Sequence, residues 1–110
     1  MTDSEYLELA AKAAGIELRW HPDGTAYSDS RCKDYWGVWN PIADDGDALR
    51  LAVKLGIIIE YRREVPACFA YHYALHLEVR EPNASLDPYA ATRRAIVRAA
   101  AEIGRSGLAS

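Results

Sequence analysis

From Thr2 to Ala14 apolar residues recur at helical spacing, with Tyr6, Leu9, Ala10, Ala13 and Ala14 on one side and Glu5, Glu8 and Lys12 on the other. That period predicts an amphipathic helix covering a core with one face. Thr2-x-x-Glu5 forms a capping box at its start, and Gly15 supplies a left-handed stop. Ile16, Leu18 and Trp20 then alternate with Glu17 and Arg19, the period of a half-buried strand. His21-Pro22-Asp23-Gly24 reads as a turn, followed by a short returning strand around Thr25 to Ser28. Asp29 to Pro41 has no clear period and closes on Asn40-Pro41, so it is expected to be an ordered loop.

Asp44 or Asp45 caps a second helix that runs to Leu55 and stops at Gly56. Asp47 is placed to meet the helix dipole and Arg50. Leu49, Leu51, Ala52, Val53 and Leu55 cover more than half of this helix's circumference, which predicts that it is largely buried, with Leu49 central to the buried arc. β-branched Ile57-Ile58-Ile59 continues into Glu60-Tyr61-Arg62. A charged turn then leads to a second strand over Ala67 to Val79, so the two should pair as a hairpin. In that second strand Phe69, Tyr71, Tyr73, Leu75, Leu77 and Val79 fall on one face, and Cys68, Ala70, His72, Ala74 and His76 on the other. Both faces are apolar or small, the mark of a central strand in a sheet covered on both sides. Asp87 caps a last helix with Pro88 at its first position, ending at Gly107.

The order α-β-(β)-α-β-β-α predicts an α/β (α+β) fold, a three-layer α/β/α sandwich with a small, largely antiparallel sheet. Residues 1–105 form a single globular domain and residues 106–110 a frayed tail. With 110 residues there is room for one core. Half of the residues are hydrophobic and 26% charged, a balance that favours folding over disorder.

The blocks Trp39-Asn40-Pro41-Ile42-Ala43-Asp44-Asp45-Gly46-Asp47-Ala48-Leu49-Arg50-Leu51-Ala52-Val53 and Ala91-Thr92-Arg93-Arg94-Ala95-Ile96-Val97-Arg98-Ala99-Ala100 resemble small phage and prophage proteins grouped as the phage ABA sandwich domain. The resemblance spans roughly residues 1 to 105 in outline. It implies a bacteriophage or prophage origin and a three-layer sandwich. The matching blocks are fold-forming residues, and the family brings no biochemical activity to carry over.

Charge and cysteine content narrow the function further. A formal net charge of -3 gives no global positive field toward nucleic acid or anionic lipid. Met1-Thr2-Asp3-Ser4-Glu5 places acids where a signal peptide carries positive charge. The longest uncharged stretch, Val65 to Leu77, is shorter than the roughly 20 residues that span a bilayer. Cys32 and Cys68, the only cysteines, fit reduced thiols better than a disulfide framework. The expected setting is the cytoplasm of a bacterial host, with no membrane association.

No phosphate loop, dinucleotide fingerprint or nucleophile elbow occurs, so the chain is expected not to be an enzyme. His72 and His76, four apart in a strand, lie roughly 13 Å from one another and cannot share one ion. Asp44-Asp45-Gly46-Asp47 lacks the alternate acids and closing glutamate of a calcium loop. The reading is no metal and no cofactor. Two groups remain as candidate binding residues. Tyr35, Trp36 and Trp39 concentrate aromatic area in the irregular segment, where they either plug the edge of the core or form a partner-binding patch. Of these, Trp39 adjoins the buried helix and is expected to be structural, with Trp36 the better contact residue. Arg94, Arg98 and Arg105 line one face of the last helix over roughly 16 Å, as a solvated face with an Arg98–Glu102 pair or as an anion-binding strip. The expected function is a phage-derived accessory protein that binds a host or phage protein, with self-association left open. Nucleic-acid binding through the arginine face is the rival reading, disfavoured by the net acidity.

Overall fold

The computed structural model describes residues 1–29, 35–82 and 86–107. The first helix, α1 (Asp3–Ala14), begins where the Thr2 hydroxyl accepts from the Glu5 N–H at 3.2 Å and the Glu5 carboxylate accepts from the Thr2 N–H at 3.1 Å. Both bonds satisfy donors that a helix start would otherwise leave unpaired. The chain leaves the helix through Gly15 at φ 70°. Leu7 and Ala11 are buried beside Ala10, Ala13 and Ala14, so the core face is wider than the periodicity suggested.

Three very short strands follow, β1 (Arg19–Trp20), β2 (Ala26–Ser28) and β3 (Gly37–Val38), paired antiparallel in the order β1-β2-β3. Part of the segment expected to be loop is therefore strand. Tyr27 pairs with Val38 and Ser28 with Gly37, and the Trp39 N–H extends the pairing by donating to the Ala26 carbonyl at 2.9 Å. The strand expected from Ile16 is confined to two residues.

The second helix, α2 (Asp45–Leu55), is capped by Asp44, whose carboxylate accepts from the Asp47 N–H at 2.8 Å, and it stops at Gly56 with φ 71°. The chain then enters a second antiparallel sheet, β4 (Ile58–Arg62), β5 (Ala67–His72) and β6 (Leu77–Pro82), with β5 in the middle. The expected hairpin between Ile58 and the strand from Ala67 forms, with Arg62 opposite Ala67. The single long strand to Val79 does not. A 3-10 turn at Tyr73–Leu75, closed by His76 at φ 52°, reverses the chain and splits it into β5 and β6. Leu77 and Val79 then lie opposite His72 and Ala70. The turn moves both residues to the face that alternation along one strand would have denied them.

Asp87 caps the last helix, α3 (Pro88–Ser106), by accepting from the Ala90 N–H at 3.0 Å, with Pro88 at its start and Gly107 at its end. It packs against α1 on one side and against β5 and β6 on another, with α2 alongside. The result is an α/β (α+β) sandwich with small antiparallel sheets. Helices α1 and α3 and the second sheet stack in that order, so helices cover one face of the sheet and not both. The apolar pattern of a single strand from Ala67 to Val79 predicts cover on both faces, but the turn at Tyr73–Leu75 folds that run back on itself. Helix α3 covers the Cys68 and Ala70 face of β5. The opposite face keeps Phe69 and Tyr71 half-buried, their rings stacked at 6.1 Å, with the Arg62 guanidinium 5.1 Å above Phe69. The core joins Leu7, Trp39, Leu51, Leu55, Ile57, Val79, Ile96, Val97 and Ile103 with the alanines of α1 and α3.

Candidate functional site

Helix α2 carries two apolar faces with different fates. Ala48, Leu51, Ala52 and Leu55 are buried. Leu49 and Val53, one turn apart, point the other way and are 64% and 73% exposed. The broad apolar circumference therefore does not mean a largely buried helix, and Leu49 is not a core residue. Only one stripe of α2 finds neighbours in the fold, and the second is left facing solvent.

That second stripe forms one wall of a groove of about 900 Å³. Ile58, Ile59 and Tyr61 of β4 form its opposite side, and Tyr89 and Ile96 of α3 close it. Leu49, Val53, Ile58, Tyr61 and Tyr89 are all exposed large hydrophobic side chains, gathered here from three elements. A contiguous exposed apolar surface of this kind is a mark of an interaction site. Arg93 holds the groove's shape: its Nε donates to the Ile42 carbonyl at 2.8 Å and its Nη1 to Asp45 at 2.6 Å, tying α3 to the start of α2. Arg63 stands at the rim without a carboxylate partner among the described residues.

The groove runs beside a backbone edge. Among the described residues β4 pairs only with β5, and none of its backbone groups is hydrogen-bonded outside that ladder. The other edge of the sheet is blunted: β6 ends on Pro82, and Arg98 donates to the Arg80 carbonyl at 3.0 Å. On the outer face of β4, Glu60 accepts from Arg62 Nε at 2.8 Å and from the Tyr71 hydroxyl at 3.0 Å. The hydrogen bond from Arg62, then that from Tyr71, lowers the Glu60 carboxyl below its ordinary range. Desolvation, then donation to Glu60, raises the Tyr71 phenol.

The aromatic candidates part company. Trp39 is 3% exposed and belongs to the core. Its position is fixed from both sides, by its own bond to Ala26 and by the next residue, whose N–H donates at 2.9 Å to the buried carboxylate of Asp47. Asp47 also takes a 2.7 Å hydrogen bond from Arg50, so a residue read as a dipole partner also clamps the segment to α2. Trp36 is half-buried with the Arg19 guanidinium 3.9 Å over its ring, a cation–π contact. Tyr35 is 66% exposed and lines a second, more polar cavity of about 590 Å³ with Asn40, Asp44 and Asp47. The three rings do not form one surface with the groove.

The arginines of α3 do share one face, and each is answered by a carboxylate. Arg94 lies 3.5 Å from Asp3, Arg98 2.6 Å from Glu81 and Arg105 2.5 Å from Glu102. The pair expected between Arg98 and Glu102 is replaced by these two, because β6 brings Glu81 within reach of Arg98. Such pairing leaves little unbalanced positive charge for an anion.

Cys68 is free and fully buried, and burial pushes its thiol above the ordinary range. Cys32 lies outside the described residues. His72 and His76 flank the 3-10 turn instead of sharing a strand, and the buried Nδ1 of His72 has no hydrogen-bond partner among the described residues. No group of three or more potential ligands among the described residues is arranged to hold a metal ion.

Sequence reading missed the groove because breadth of apolar surface on α2 was equated with burial. The available signal was the combination of that breadth with the apolar start of β4 and with Tyr89. Comparison with known protein families, with curated proteins and with solved structures found no match for this chain. No helix of the described residues is long and apolar enough to cross a membrane.

Proposed function

We propose that the protein is a non-enzymatic binding module that docks another polypeptide, a host or phage protein, in the groove between α2, β4 and α3. One observation carries this reading: Leu49 and Val53 are exposed on the same side of α2 and line one groove with exposed Tyr61 and Tyr89. An isolated exposed leucine is ordinary, but a grouped set beside an open strand edge is not. The resemblance to phage ABA sandwich proteins supports bacteriophage or prophage descent and work in the cytoplasm of a bacterial host. The ion-paired arginines of α3 weigh against nucleic acid as the partner.

The test is capture by tagged protein from a bacterial lysate that also contains the untagged chain. The wild type is compared with the Leu49→Asp/Val53→Asp double variant and with Tyr35→Ala/Trp36→Ala. Both positions in α2 are exposed, so circular dichroism should stay native in the first variant. A defined protein retained by the wild type and by the aromatic variant, and lost by the α2 variant, is the expected result. Equal retention by wild type and α2 variant would contradict the reading, and loss in the aromatic variant alone would move the site to Tyr35 and Trp36.

A further inference from the structure

We infer that the polypeptide docked in this groove is a second copy of the same chain, joined through antiparallel pairing of β4 with β4 of its partner. The inference rests on the reading of the groove as a protein-docking surface and adds the identity and register of the occupant.

The first ground is the asymmetry of the sheet. Its β6 edge is blunted by Pro82 and by the Arg98 contact to the Arg80 carbonyl, whereas β4 presents five residues without proline and, among the described residues, without a partner on its outer side. An open edge beside an exposed apolar surface is satisfied by one kind of ligand, an extended chain that brings apolar groups with it. A second β4 does both. Its backbone completes the edge, and its own Tyr61 and α2 stripe arrive on the groove side of the joined sheet.

The second ground is charge. Two copies related by a two-fold axis perpendicular to the sheet must place one residue of β4 opposite itself. Centred on Glu60, the pairing sets two carboxylates directly opposite each other, which destabilises a sheet. Centred on Tyr61, it sets Glu60 opposite the partner's Arg62 and Arg62 opposite the partner's Glu60, with Tyr61 opposite Tyr61 on the groove side. Glu60 and Arg62 already lie together on the outer face at 2.8 Å, so the joined strands would carry an alternating network of four charges. The strand is thus self-complementary in one register and self-repelling in the adjacent symmetric one.

The test uses charge variants whose intrachain effects cannot imitate the result. Glu60→Arg gives a chain with two arginines at these positions, and Arg62→Glu gives a chain with two glutamates. Each alone places like charges opposite across the two-fold. Mixed one to one, they place opposite charges across it, while the like charges within each chain remain. By sedimentation the wild type is expected to dimerise in the micromolar range. Each single variant should associate about tenfold more weakly, and the equimolar mixture should recover heterodimer. Failure of the mixture to recover association overturns the register and with it the inference. A wild-type chain that stays monomeric at every concentration also overturns it, while the docking reading survives if the Leu49→Asp/Val53→Asp variant still loses capture of a different protein. A dimer unaffected by the α2 variant and by the β4 variants alike would sink both.

Discussion

Helix α3 meets α1 and α2 on two seams that were both built from apolar residues, and the two seams ended differently. Against α1, whose buried residues include Ala10, Ala13 and Ala14, it brings Gly104 so close that a Cβ there would overlap the Leu9 carbonyl. Against α2 and β4 the closure is partial: Ala48, Ala52 and Ile96 join the core, but the large side chains of Leu49, Val53, Tyr61 and Tyr89 line about 900 Å³ that stays open. Small residues let a fold close on itself, whereas large apolar residues without a facing element leave a surface that needs something else to cover it. Apolar content alone does not distinguish the two seams. Side-chain size and the presence of an opposing element do.

Substitutions can break this contrast at either seam. The largest effect is expected for Gly104→Ala, because the added methyl meets backbone, not a side chain that could turn aside. We expect a loss of about 3 kcal/mol or more in chemical denaturation, at the upper end of overpacking costs. An unchanged midpoint would show that α1 and α3 are not in such close contact. Next is the comparison within α2 itself. Leu51→Ala, on the fully buried face, should cost about 2 to 5 kcal/mol. Asp47→Ala should cost about 1 to 3 kcal/mol, because it leaves the Asn40 N–H without its acceptor in a partly buried place. Leu49→Ala in the monomeric protein should fall within about 0.5 kcal/mol of the wild type, as surface positions do. Equal losses at Leu49 and Leu51 would erase the distinction between the two faces of α2.

The smallest effect expected is on acid stability. Glu5, Asp23 and Glu60 are all held below the ordinary carboxylate range, each mainly by hydrogen bonds, from the Thr2 backbone, the Thr25 backbone and the Arg62 side chain respectively. A carboxyl depressed in the folded state binds its proton more readily when unfolded. Its contribution is therefore present above the ordinary range near pH 4 and lost as the pH falls through the lowered native value. Melting temperatures followed from neutral pH downward should decline through that window, and Glu60→Gln should flatten a small part of the decline. A profile identical in Glu60→Gln and wild type would remove Glu60 from this account.

The helices were legible because their ends are chemically marked. Thr2 with Glu5, Asp44, Asp87 with Pro88, and the glycines at 15, 56 and 107 each satisfy or terminate a helix by local geometry, which sequence spacing reports directly. The turn between β5 and β6 was not legible, since Tyr73-Ala74-Leu75-His76 contains no glycine, proline, asparagine or aspartate, and His76 adopts a left-handed conformation unannounced by its type. That one missed turn accounts for the wrong side assigned to Leu77 and Val79. The outward stripe of α2 was illegible for a different reason. Periodicity says which residues share a face, but whether another element covers that face is decided by tertiary placement. The Tyr35, Trp36 and Trp39 segment illustrates both limits, since the one tryptophan that enters the core does so through bonds to Ala26 and, by way of Asn40, to Asp47, neither of which its neighbours in sequence reveal.

The central claim, that the exposed α2 stripe and the β4 edge form a surface covered by a second copy, is tested most directly by amide hydrogen exchange at low and high protein concentration. The account predicts that protection rises with concentration in segments spanning residues 48–54 and 57–63, while residues 5–14 and 98–104, in helices already closed against each other, do not change. Protection that is independent of concentration throughout, or that rises at residues 35–39 or 67–72 and not along β4, would contradict it.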